Sequence, residues 1–104
     1  MFKSGKAILP SNATGSAPDA ATTPEGVELS FDKGANRSRQ ATIGVIITNR
    51  EAVAGNTLEV SFNEGRDWFV VATNTTLSLP VVIHRIRVRG TSGAVALYSV
   101  MGIV

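Results

Sequence analysis

A chain of 104 residues with 43% apolar and 17% charged side chains is too apolar for wholesale disorder and too short for two independent cores. Its net charge of +2 is the margin of ten basic over eight acidic residues, too thin to mark a nucleic-acid binder. With no cysteine and one histidine, disulfides, thiolate nucleophiles and cysteine zinc sites are excluded, and the scarcity of charge leaves uncharged surface for a partner to cover.

The chain begins Met1-Phe2-Lys3-Ser4-Gly5-Lys6, basic like the start of a signal peptide, but only Ala7-Ile8-Leu9 follows before Pro10. A signal core needs ~7–15 apolar residues, and no stretch approaches the ~18–20 of a membrane span. The expectation is a soluble protein made in a cytoplasm, with no membrane partner. Residues 10–25 hold Pro10, Pro18 and Pro24 among small polar residues, with Asp19 and Glu25 the only charges. Such a stretch buries too little to offset an ordering cost of roughly 1–2 kcal/mol per residue. Residues 1–25 are therefore expected to form an extended arm, whose Phe2, Ile8 and Leu9 are candidates for docking on a neighbouring subunit.

From Gly26 the pattern turns to period two, the mark of half-buried strands. Residues 27–32 alternate Val27, Leu29 and Phe31 with Glu28, Ser30 and Asp32. A basic loop with Lys33, Arg37 and Arg39 follows, and residues 41–48 then place Ile43, Val45 and Ile47 on one face. Residues 57–62 point Leu58, Val60 and Phe62 inward and pair with residues 68–71 through the turn Asn63-Glu64-Gly65-Arg66-Asp67, where Gly65 can take φ > 0. Residues 76–81 carry Leu77, Leu79 and Val81 on one face, and Pro80 consigns that strand's end to a sheet edge. Residues 82–89 form a further strand; residues 94–104 form the last, with Val95, Leu97, Met101 and Ile103 on one side. No helical periodicity appears. About seven short strands read as one all-β domain, residues 26–104, an antiparallel β-sandwich of the jelly-roll or immunoglobulin-like kind.

The chemical inventory is thin. His84 shares strand parity with Ile86 and Val88, which points to a packed residue rather than a base, since a base also needs a nucleophile and an orienting group. The acidic residues Glu59, Glu64 and Asp67 sit on an outward strand face and in a turn, without the converging ligands of a calcium or magnesium site or the cleft of a carboxylate pair. Phosphate-binding glycine motifs are missing. No catalytic residue, metal or cofactor is assigned. The basic groups say more: Arg85, Arg87 and Arg89 alternate along one strand, about 7 Å apart on one face. That row is easier to hold if something acidic covers it, such as another protein surface. Trp68 and Phe69 are adjacent, so one faces out, a single platform too few for the stacked bases of a nucleic-acid barrel.

Residues 56–104 run Asn-Thr-Leu-Glu-Val-Ser-Phe-Asn-Glu-Gly-Arg-Asp-Trp-Phe-Val-Val, then Leu77-Ser78-Leu79-Pro80-Val81, then Ile86-Arg87-Val88-Arg89-Gly90, and close Ala-Val-Ala-Leu-Tyr-Ser-Val-Met-Gly-Ile-Val. This half of the chain resembles small virion structural proteins of tailed bacteriophages. The resemblance implies a β-sandwich that decorates or cements the capsid, or else sits in the neck, tail or a fibre, and a homotrimer whose partners are the major capsid protein or other virion proteins. Phe2, Ile8, Leu9, Arg37, Arg39, Trp68, Arg85, Arg87 and Arg89 are the expected contact residues. A carbohydrate- or nucleic-acid-binding sandwich is the alternative.

Overall fold

The computed structural model describes residues 7–31, 41–53, 55–91 and 93–104. Strands β1 (Ala7–Ile8), β2 (Thr14–Ala17), β3 (Val27–Ser30), β4 (Gly44–Asn49), β5 (Leu58–Ser61), β6 (Phe69–Val71), β7 (Thr75–Leu79), β8 (Arg85–Gly90) and β9 (Ala96–Ile103) follow in order, with no helix among the described residues. The seven expected strands are β3 to β9. Strands β1 and β2 fall inside the expected arm and raise the count to nine.

All strand pairs are antiparallel, and they nest. β2 pairs with β9, β3 with β8, β4 with β7, and β5 with β6, as if one long hairpin had its tip at the β5–β6 turn. Two further pairings, β4 with β9 and β5 with β8, join alternate pairs into two sheets. The first has the order β1-β9-β4-β7, with β2 also on β9; the second has the order β3-β8-β5-β6. Their inner faces contribute to one core, in which Val45, Ile47, Tyr98 and Val100 of the first sheet join Leu29, Val60, Ile86 and Val88 of the second. Asn49 is fully buried yet satisfied: its Nδ2 donates across the core to the Val71 carbonyl at 2.9 Å, and its Oδ1 accepts from the Glu51 N–H at 2.9 Å. A buried amide that bonds from one sheet to the other fixes their relative placement as apolar contacts cannot.

The separate arm does not hold for residues 7–25. Ala7 and Ile8 lie opposite Ile103 and Gly102, and Thr14 to Ala17 opposite Ser99 to Ala96, so both segments cover the same edge of β9. Ile8 and Ala17 are 1% and 0% exposed and belong to the core, which removes Ile8 as a surface contact. Between them, the Tyr98 hydroxyl donates to the Asn12 carbonyl at 2.7 Å and the Val100 N–H to the Ala13 carbonyl at 2.8 Å. Ser11 donates its N–H to the Ser30 carbonyl and accepts the Ser30 N–H on its Oγ, linking this segment to the second sheet. The ordering entropy that argued against structure is offset by bonds to a strand edge that would otherwise stand open. A sequence period cannot register that gain. One glycine is fixed by packing: a Cβ on Gly102 would stand 2.5 Å from the Phe31 ring.

The structure gives strand β9 the inner and outer sides that its sequence leaves open. Ala96, Tyr98, Val100 and Gly102 are buried, while Leu97 is exposed and Met101 and Ile103 half-buried. The apolar set predicted as one side of the strand is thus its outer side. His84, expected to pack beside Ile86 and Val88, is exposed, because β8 begins one residue later, at Arg85.

Two outcomes follow from the docked N-terminal segment. Deleting residues 1–25 abolishes the cooperative urea transition, because it uncovers β9 and empties two core positions; Ile8→Ala alone costs about 2–4 kcal/mol in the same titration. Burial pushes the Tyr98 phenol above its ordinary value of 10.0. The folded state then holds the proton longer than the unfolded one, so this contribution to stability is complete below pH 10 and is lost as the pH rises through the folded value. Tyr98 is the only tyrosine. Its ultraviolet ionisation in the native protein should therefore have a midpoint above that of the urea-unfolded chain, and equal midpoints would refute the assignment.

Candidate functional site

The outer faces of the two sheets are chemically unlike. On the second sheet the pairing places Glu28 opposite Arg87 and Glu59 opposite Arg89. Arg89 Nε donates to Glu59 Oε1 at 2.6 Å and Nη1 to the Pro24 carbonyl at 2.6 Å, while the guanidinium carbon stands 3.9 Å from the centroid of the Trp68 ring. The Trp68 indole N–H donates to the Gly65 carbonyl at 3.0 Å. Arg87 is held more loosely, with Nη2 3.7 Å from Glu28 Oε2 and Nη1 donating to the Glu25 carbonyl at 3.2 Å; its Nε is buried without a partner among the described residues. Arg85, Arg87 and Arg89 do line one face, as their alternation predicts. For Arg87 and Arg89 the acidic cover that makes such a row easier to hold comes from the same chain, since the cross-strand carboxylates of Glu28 and Glu59 lie beside them.

Trp68 is correspondingly half-buried under Arg89 and is not a free platform. The exposed neighbour is Phe69, at 56%, its ring 5.8 Å from that of Phe62. The β5–β6 turn that presents this pair is built as its residues dictate: Glu64 and Gly65 both have positive φ, and Ser61 Oγ accepts the Gly65 N–H at 2.7 Å. Leu9 is 46% exposed. Phe2, Arg37 and Arg39 lie outside the described residues.

The outward strand positions described on the first sheet carry no charge, and exposed Arg50, whose N–H donates to the Leu97 carbonyl at 2.8 Å just past the end of β4, bounds this face at one end. Its outward positions form rows across the strands: Thr14, Ser99, Thr48 and Thr76; then Met101, Ile46 and Ser78; then Ala7, Ile103 and Gly44. The hydroxyls of Thr48 and Thr76 bond at 3.0 Å. Because Gly44 contributes no side chain, the last row sinks into a hollow of about 260 Å³ lined by Ile43, Gly44, Ser78, Leu79, Pro80 and Ile103. Ile43 and Val82 stand 51% and 74% exposed at this end of the molecule. Sequence reading passed over this face, although its signal is plain: residues 68–83 and 90–104 contain no charged side chain.

Among the described residues no three His, Asp or Glu side chains gather as metal ligands. No protein-family model, curated protein or solved structure matches the chain.

The arginine clamp gives a direct test. Arg89→Ala removes a charge-assisted hydrogen bond and the cover of the single tryptophan, and should cost about 1.5–3 kcal/mol with a red shift of Trp68 emission. Arg89→Lys restores only part of this, because one ammonium cannot reach the carboxylate and the Pro24 carbonyl while lying flat on the indole. Unchanged stability and emission in Arg89→Ala would show that the clamp is idle in solution.

Proposed function

We propose that this chain is a non-enzymatic virion structural protein of a tailed bacteriophage, a jelly-roll β-sandwich that binds and stabilises the capsid as a decoration or cement protein. The observation that carries the reading is the outer face of the first sheet, whose described strand positions bear no charge, set against a second sheet whose charges are largely neutralised within the chain. A surface of that composition suits protein contact: apolar and hydroxyl groups give up water at little cost, whereas charges left without partners are expensive to bury. The nested strand pairing supports the jelly-roll assignment, for two sheets that exchange strands in this order form paired Greek keys, an architecture frequent in viral capsid domains and lectins. The sequence resemblance of residues 56–104 points the same way. Shell contact through a free arm is not part of the proposal, since Ile8 and Ala17 are core residues.

The experiment is co-sedimentation of the purified chain with tailed-phage shells that lack it. Saturation at a fixed ratio to the shell protein is expected, with little loss at about 0.5 M salt, where attraction between exposed charges is largely screened. No binding to shells would overturn the reading. Binding to DNA that falls steeply with salt would replace it with a nucleic-acid function.

A further inference from the structure

We infer that the hollow beside Gly44 receives the Phe69 side chain of a second copy of this chain, and that this contact closes a homo-oligomer. The hollow measures about 260 Å³ and its walls are Ile43, Leu79, Pro80 and Ile103, with Ser78 the only polar side chain among the described residues that line it. An apolar cavity of about 150 Å³ already takes benzene, so there is room for a phenyl ring. The described residues that line the hollow carry no charge to pair with an entering one, so an apolar group suits it. The chain supplies such a group: Phe69 is 56% exposed and is the only aromatic among the large exposed apolar side chains of the described residues, and its neighbour Val70 is 60% exposed. Contact with the Phe62 ring at 5.8 Å already restricts the Phe69 rotamer, which lowers the entropy lost on docking. Phe69 and the β7 rim of the hollow both belong to the charge-free stretch 68–83.

Magnitudes require that the contact be used more than once. Burying one phenylalanine contributes about 1.5–3 kcal/mol, against roughly 4–15 kcal/mol for the lost freedom of association. A single ring in a single hollow does not hold two chains together. Each copy, however, has both the ring and the hollow, so a closed assembly lets every copy give and receive, as a two-fold pair or as a ring such as the expected trimer. This goes beyond the proposed virion role, touching it only through the homotrimer that the resemblance implies, and it is tested without shells, so failure of shell binding and failure of this contact are separate results.

The test is a double-mutant cycle on the full chain, read by sedimentation velocity over a concentration series. Gly44→Val fills the hollow; the nearest heavy atoms to a Cβ there lie 3.5 and 4.0 Å away, an ordinary contact distance, so this variant folds. Phe69→Ser removes the ring from an exposed position. Wild type should exceed the 10.9 kDa chain mass as a dimer or trimer. Each variant should raise the dissociation constant at least about tenfold, the effect of losing a buried phenyl ring. The double variant should be no weaker than the worse single one, because each change removes the same contact. A wild type that is monomeric at about 100 µM, where even weak specific pairs associate, overturns the inference. So do effects of the two substitutions that multiply in the double variant. If Phe69→Ser fails to fold, Gly44→Val alone decides: an undiminished oligomer mass with the hollow filled rejects the contact.

Discussion

The structure depends on β9 having backbone partners along both edges. β4 covers one edge, with six residue pairs from Gly44↔Ile103 to Asn49↔Tyr98, and the two short segments β1 and β2 share the other. Of the first sheet, only β7 is not paired with it. The consequences reach the core: the inward residues of β9 are held at a fixed height against the second sheet, and Gly102 leaves room for the Phe31 ring. They also reach the surface. A strand with Ala96, Tyr98 and Val100 inside and Leu97, Met101 and Ile103 outside makes an apolar outer face wherever it lies, and only the threonine and serine row moderates it.

The second sheet solves the opposite problem. Its outer face is built on arginines, which by alternation share one side of β8, and strand register sets carboxylates from β3 and β5 against two of them. The two pairs differ in strength. Glu59 accepts Arg89 at 2.6 Å with both side chains about four-fifths buried, while Glu28 and Arg87 stand 3.7 Å apart and more open. Shorter, less solvated pairs are the ones that contribute net stability. Trp68, packed beneath Arg89, extends that clamp into the β5–β6 turn. The face is thereby rigid and self-neutralising, and it spends its charge on the fold.

How much of this was legible in the sequence follows from what kind of signal each feature leaves. Strands β3 to β8 announce themselves because one face is buried and one is not, so Leu29, Val45, Val60 and Ile86 recur at period two. β9 is apolar on both sides, and nothing local says which side is inner. β1 and β2 have almost no apolar alternation: Thr14-Gly15-Ser16-Ala17 is held by a partner 79 to 85 residues away, and non-local pairing is invisible to a window. The arginine row was legible by parity; its Glu28 and Glu59 partners were not, since cross-strand neighbours depend on register. The hollow was illegible for the same reason, because Gly44, Leu79 and Ile103 meet only once three strands are aligned.

The sheet edges decide how such a molecule can associate. An open edge invites strand addition without limit unless it is short, broken or blocked. Here β6 has three residues, β3 has four, β7 has five and runs into Pro80, and the fourth edge is split into β1 and β2 around Pro10. None offers a long straight ladder. Growth by backbone pairing is therefore curtailed on every side, while the outer face of the first sheet has neither charge nor proline along β4 and β9 to keep another surface away. A chain of 104 residues without cysteine buries only a modest fraction of its surface on its own. The remaining way to bury more is to pack side chains, face against face, in contacts whose geometry is specified by a ring and a hollow rather than by a repeating ladder.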